Sequence, residues 1–130
     1  MLNFFNLFMV DIANTGTDIT TLPEFQQADV IHLHWINQGM LSLKDLRKVL
    51  LSGKPVVWTM HDMWPCTGIC HHARECNNYH QECHHCPYIY KGGKKDLSNQ
   101  IFKKKLELYR LAPITFVTCS RWLKERASQS

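Results

Sequence analysis

Three short apolar runs stand out along the chain. Val30-Ile31-His32-Leu33-His34-Trp35-Ile36 is β-branched and aromatic and mostly apolar on both faces. That pattern predicts a strand buried on both sides of a parallel sheet. Pro55-Val56-Val57-Trp58-Thr59-Met60 and Ile114-Thr115-Phe116-Val117-Thr118 predict two more. Between the first two, Leu43, Leu46, Val49 and Leu50 recur at helical spacing. Ser42 and Asp45 stand where a capping box places its N-cap and N3 residues, and Gly53 ends the helix because it takes a positive φ cheaply. A second helix is expected over residues 97–111, with Ile101, Phe102, Leu106, Leu108 and Tyr109 as its apolar stripe and Lys103-Lys104-Lys105 mostly in water. Pro113 stops it. Ser120 opens a short last helix.

Strand, helix, strand, long loop, helix, strand and helix in that order mean parallel strands joined by right-handed crossovers. The fold class is therefore α/β: a Rossmann-like, doubly wound parallel sheet. Three confident strands are few and leave bare sheet edges, so the sheet reads as partial. The whole of residues 1–130 is expected to be one partial domain of this kind. Leu2 to Val10 reads as a strand or a buried loop, followed by a turn at Asn14-Thr15-Gly16-Thr17.

Residues 61–94 break the pattern. They are irregular and rich in Cys, His and Gly, and a loop so long is unusual unless something staples it or it serves a function. Composition sharpens the point. The chain has 45% hydrophobic and 20% charged residues, ordinary for a folded domain, but six Cys and eight His. Net charge is +4. Residues 1–43 contain Asp11, Asp18, Glu24 and Asp29 and no Lys or Arg, so the positive charge lies entirely beyond them. That basic part could face an anionic surface or could be a solvated face with scattered lysines. No stretch is long and apolar enough to span a bilayer, and residues 1–10 lack the positive flank of a signal peptide. The expected location is cytoplasmic, where thiols stay reduced.

In open α/β sheets ligands bind beyond the carboxyl ends of the strands. All three strand ends carry polar groups here: His34-Trp35-Ile36-Asn37, His61-Asp62 and Cys119-Ser120-Arg121. Three polar ends on one edge make a pocket, whereas caps and turn residues would account for any one of them, Ser120 above all. His32 shares a face with His34 by the period of two and is expected to be a satisfied core histidine.

These residues also carry a resemblance. Ala-Asp-Val-Ile-His-Leu-His-Trp-Ile-Asn (28–37), Lys-Pro-Val-Val-Trp-Thr-Met-His-Asp-Met-Trp-Pro-Cys-Thr-Gly (54–68) and Phe-Val-Thr-Cys-Ser-Arg-Trp-Leu (116–123) are similar to the amino-terminal domain of bacterial family 4 retaining glycosyltransferases of the GT-B type, which serve surface-polysaccharide biosynthesis. The resemblance covers roughly residues 24–127. It implies two Rossmann-like domains across a cleft, the amino-terminal one holding the acceptor and the carboxyl-terminal one the nucleotide-sugar donor. It implies His61 at the donor sugar, with Asp62 supporting it or touching the acceptor. It places His34 and Asn37 on the acceptor side, and Ser120 and Arg121 near the cleft floor. The Glu pair and the phosphate-binding Arg and Lys of such enzymes belong to the second domain, and no Glu-x7-Glu pattern occurs here. The chain is thus expected to be a fragment inactive alone, needing its donor domain, with a sugar or lipid-linked acceptor and the inner membrane face as peripheral contact for Lys91, Lys94, Lys95, Lys103, Lys104 and Lys105.

Cys70-x5-Cys76-x6-Cys83-x2-Cys86 lies inside the loop. A C-x2-C pair suits one tetrahedral ion, and four thiolates close a structural zinc site. Five histidines, His71, His72, His80, His84 and His85, could each replace a thiolate, and two disulfides are the alternative in an oxidising setting. In the resembling enzymes a cysteine-rich insert often follows the His-Asp motif, with a bulky apolar residue where Cys66 stands. Cys66 and Cys119 are expected to be packed core thiols. Two further readings remain: a zinc-stabilised nucleic-acid-binding module and a non-catalytic Rossmann-like domain. Against the first, Lys and Cys are not interleaved at finger spacing and no recognition helix follows the C-x2-C pair, so no nucleic acid is expected.

Overall fold

The computed structural model describes residues 8–130. The early part of the strand or loop expected over Leu2 to Val10 lies outside the described residues. The chain divides into two compact units. One comprises Ala13–His61 and Leu106–Cys119, and the other comprises Asp62–Lys105 and Ser120–Ser130 with the described part of Met1–Ile12.

The first unit holds the sheet. Strands β1 (Ile31–Leu33), β2 (Val56–Met60) and β3 (Ile114–Thr118) are all parallel, in the order β1-β2-β3. Ile31 faces Val56, and Val56 faces Ile114 on the other side. The fold is thus α/β with a partial Rossmann-like sheet, as the pattern predicts. Helices α1 (Pro23–Gln27) and α2 (Leu43–Leu51) lie in this unit. The capping box of α2 is complete. The Ser42 hydroxyl accepts from Asp45 N–H at 3.1 Å, and the Asp45 carboxylate accepts from Ser42 N–H at 3.0 Å. Gly16 packs directly on this cap, since a Cβ there would overlap the Ser42 nitrogen. Leu43, Leu46, Val49 and Leu50 are buried along one stripe. Each such side chain contributes about 1.5–3 kcal/mol by leaving water. Gly53 ends the helix at φ 78°.

Trp58 centres the sheet. It is 1% exposed, stacks on Phe116 at 5.7 Å and meets Tyr109 edge-on at 6.1 Å. Among the described residues β3 is an edge strand, and its Phe116 and Val117 are exposed.

Three expectations fail in this unit. The first strand is three residues long, and His34, Trp35 and Ile36 lie past its end. His32 is not a core residue. It is exposed, with Nε2 2.8 Å from the Thr59 hydroxyl, because β1 is an edge strand whose outer face is open. Cys119, expected in the core, is exposed for the same reason after β3.

The second unit has little regular structure. Val10 bridges Cys70 in an antiparallel pair, and single 3₁₀ turns form at Trp64–Cys66 and Asn78–His80. Helix α4 (Arg121–Ala127) belongs to it. Helix α3 (Leu97–Tyr109) gives residues 97–105 to this unit and 106–109 to the sheet unit. Asp96 opens α3, its carboxylate accepting from Asn99 N–H at 3.2 Å. Ile101, Phe102, Lys105 and Leu108 are the buried face, while Leu106 is exposed. The expectation for Lys105 and Leu106 is therefore reversed. Positions 101, 105 and 108 are one helical stripe, and Lys105 occupies its middle. Among the described residues no helix is long and apolar enough to cross a membrane.

Candidate active site

In the sheet unit, the carboxyl ends of β1 and β2 bring two predicted residues together. His34 Nδ1 lies 3.0 Å from His61 Nε2. One ring donates an N–H and the other accepts. The His34 ring also stands 4.2 Å from that of His32, centroid to centroid. The backbone here is held firmly: the Trp58 indole donates to the His34 carbonyl at 2.8 Å. The row of imidazoles is exposed, and the paired rings each keep a second nitrogen for a substrate hydroxyl. Asn37 is different. It is buried, and its amide nitrogen has no hydrogen-bond partner among the described residues.

His61 and Asp62 are consecutive, but Asp62 falls in the second unit. There its carboxylate accepts from Trp64 N–H at 2.8 Å and pairs with His71 Nδ1 at 2.7 Å. His71 is a partner that spacing alone does not reveal. It reaches Asp62 because Met63 N–H bonds the His71 carbonyl at 2.9 Å, folding the loop back on itself. Ser120 is the N-cap of α4, accepting from Leu123 N–H at 3.1 Å, which is the cap reading of that residue. Arg121 is exposed at the first turn of α4. Next to it, Trp122 stacks on His72 at 5.2 Å.

The loop that follows Asp62 is organised around a buried cation. Lys105 is 2% exposed and donates to the Trp64 carbonyl at 2.7 Å and the Thr67 carbonyl at 3.1 Å. Its ammonium lies 3.2 Å from the centre of the Trp64 ring. Burial pushes its pKa down to about 7, against the nearby Cys70, Cys66 and Cys83, which favour the charge. Trp64 in turn donates its indole N–H to the Asp11 carbonyl at 2.8 Å.

All six cysteines are unpaired. Cys70, Cys76, Cys83 and Cys86 line one common cavity of about 20 Å³. Tyr79 lines it too, and its buried hydroxyl has no partner among the described residues. Burial pushes the thiols of Cys70 up to about 11 and Cys83 up to about 12, and raises Cys86 as well. Cys66, outside the cavity lining, is pushed up to about 12 for the same reason. Among the described residues no group of three or more His, Cys, Asp or Glu side chains is drawn close enough to hold a metal ion. Gly68 seals the loop: its N–H donates to Cys83 Sγ at 3.2 Å. A Cβ at position 68 would overlap the Ser98 carbonyl and press on Cys83 Cβ at 3.2 Å.

Of the lysines expected on an open basic face, Lys105 is buried and Lys103 is engaged by Glu82 at 2.8 Å. Lys91, Lys94 and Lys95 are exposed.

Comparison with known proteins agrees with the resemblance drawn from the motifs. The chain is 29% identical over 115 residues to a protein of Escherichia coli (strain K12) provisionally named colanic acid biosynthesis glycosyl transferase WcaC. The match covers 82% of this chain and 28% of that protein, so the chain spans under a third of its relative's length. No family model matches, and no solved structure matches.

Proposed function

We propose that this chain supplies the acceptor-side domain of a retaining GT-B glycosyltransferase, which moves a sugar from a nucleotide-sugar to a polysaccharide or lipid-linked acceptor. The observation that carries the reading is the kinship with a glycosyl transferase across most of the chain. The paired His34 and His61 at the carboxyl ends of adjacent parallel strands add support, because that edge is where such sheets bind ligands.

In this reading His61 is the catalytic residue, oriented by His34, and acts on a sugar hydroxyl or the donor sugar by hydrogen bonding. Asp62 holds the segment after it through Trp64 N–H and His71. Asn37, Ser120 and Arg121 serve substrate binding. Arg121 offers charge, while Ser120 acts mainly by starting α4. Sugar transfer needs donor and acceptor held in line while charge builds on the leaving phosphate. The cations for that phosphate come from a carboxyl-terminal donor domain, and the chain alone is inactive.

The test starts from the coding DNA on either side of this chain. Joined to the donor domain found there, the protein should release nucleoside diphosphate from a nucleotide-sugar in the presence of acceptor. The 130-residue chain alone should not. His61→Ala in the joined protein should lower kcat by about a hundredfold or more. An unchanged kcat would remove His61 from the chemistry. A salt-sensitive shift of DNA or RNA without any sugar transfer would favour the nucleic-acid-binding module instead.

A further inference from the structure

We infer that Cys70, Cys76, Cys83 and Cys86 form a structural tetrathiolate zinc site whose excess negative charge is partly offset by the buried Lys105. The site stands apart from the sugar chemistry and does not depend on which sugar, or whether any sugar, is transferred.

Four observations converge on it. The four thiols, scattered over seventeen positions of sequence, line a single small cavity of about 20 Å³, room for one small sphere and little else. Four cysteines line it, with His84 beside them and no carboxylate, and four thiolates are the donor set of a closed, structural zinc centre. A backbone N–H already points at one sulfur, Gly68 to Cys83 at 3.2 Å, the kind of contact that steadies a metal-bound thiolate. Finally, a cation is buried in the same loop. Zinc with four thiolates carries two negative charges, costly to bury alone. Lys105 stands next to the cavity: it donates to the carbonyl of Thr67, which lines it, and to that of Trp64, and it lies on the Trp64 ring.

Binding is balanced simply. Four S–H bonds give four protons to water, and four S–Zn bonds form, with no change of oxidation state. The thiols then converge on the metal instead of merely bordering the cavity. The consequence reaches the segment after His61. The Thr67 hydroxyl donates to the Cys70 carbonyl at 2.6 Å, Thr67 and Trp64 both hold Lys105, and Trp64 N–H holds Asp62. The metal therefore fixes the Asp62–His71 pair from behind, as a positioning device.

The 130-residue chain, purified with a reductant and without chelator and then given zinc, tests this directly. One zinc per chain should remain after desalting. The exposed Cys119 should react with a thiol reagent at once, and Cys70, Cys76, Cys83 and Cys86 only after EDTA. Cobalt in place of zinc should give the strong thiolate charge-transfer band and intense visible absorption of a tetrahedral site. Cys119→Ser should keep the metal, and Cys83→Ser or Cys86→Ser should lose it. If those variants do not fold, the zinc content and cobalt spectrum of the unaltered chain still decide. Lys105→Met should weaken zinc in a competition titration by about tenfold to a hundredfold. Zinc far below one per chain, six thiols reacting at once, or disulfides found by mass spectrometry would overturn the site. An unchanged zinc affinity in Lys105→Met would overturn the role given to Lys105.

Discussion

Trp58 and Trp64 make the contrast between the two units concrete. Both indoles are almost wholly buried, and each donates its N–H to a backbone carbonyl at 2.8 Å. Trp58 sits in a sheet, between the rings of Tyr109 and Phe116. Trp64 sits in an irregular loop with an ammonium group on its face. The first is held by apolar packing that repeats along strands and helices. The second is held by hydrogen bonds and a cation, each placed once. One unit is robust because its interactions are many and alike. The other stands on a few interactions that cannot replace one another.

The largest expected effect is in the sheet. Trp58→Ala should cost about 3–5 kcal/mol, read as a shift in urea midpoint, because the cavity cannot be refilled from a three-stranded sheet. A loss below about 1 kcal/mol would mean the sheet unit collapses around the gap and is looser than its packing suggests.

In the loop unit, Lys105→Met should cost about 1–3 kcal/mol at pH 7, since it orphans the carbonyls of Trp64 and Thr67. The pH dependence sharpens this for metal-stripped protein. Folded Lys105 titrates at about 7, and unfolded Lys at about 10.4. Between those values the unfolded chain binds more protons, so native stability rises with pH. From pH 7 to 9 the original chain should gain on the Met variant, and the gap should widen. A constant gap would show that Lys105 keeps an ordinary pKa. Above about pH 9 the buried thiols, whose pKa values are raised, lower the stability of both proteins alike, so the gap between them still reports Lys105.

These cases also explain what the sequence discloses. The strands at 56–60 and 114–118, the α2 cap and the parallel order are all legible, because periodic burial leaves a periodic trace. β1 is overextended in the sequence reading, since apolar residues continue past Leu33 for a different purpose: Ile36 packs while His34 and Trp35 face out. His32 and Cys119 are misjudged because the pattern of one strand cannot tell an edge from a centre. Lys105 hides in a run of three lysines, although its spacing from Ile101 and Leu108 carries the signal. The convergence of His34 and His61 follows from their shared place at strand ends. The Asp62–His71 pair follows from nothing periodic at all, only from a loop that doubles back.

Smaller effects mark the limits of the contrast. Ser42→Ala should cost about 1 kcal/mol by opening the α2 capping box. Circular dichroism with thermal melting would measure it, and no change would mean that Gly16 and the packed stripe secure the helix without its cap. The Asp18–Lys48 pair should matter least, because both groups reach water. Hydrogen bonds from Lys48 and then Thr20 hold the Asp18 carboxyl down to about 2. What the pair adds is present above the ordinary carboxylate range, near about 3.9, and is lost as pH falls toward 2. In Lys48→Met, an NMR titration should show the Asp18 midpoint rising but staying depressed, because Thr20 still donates.

Gly68 ties the cysteine loop to heredity. Every single-base change that replaces a glycine codon with another amino acid brings in a side chain with a Cβ. At this position each such change drives that atom into the Ser98 carbonyl and against Cys83. No amino acid one base away from glycine leaves the position unstrained. A lineage that keeps this loop must keep its glycine, and a lineage found without it should have rebuilt or discarded the cysteines as well.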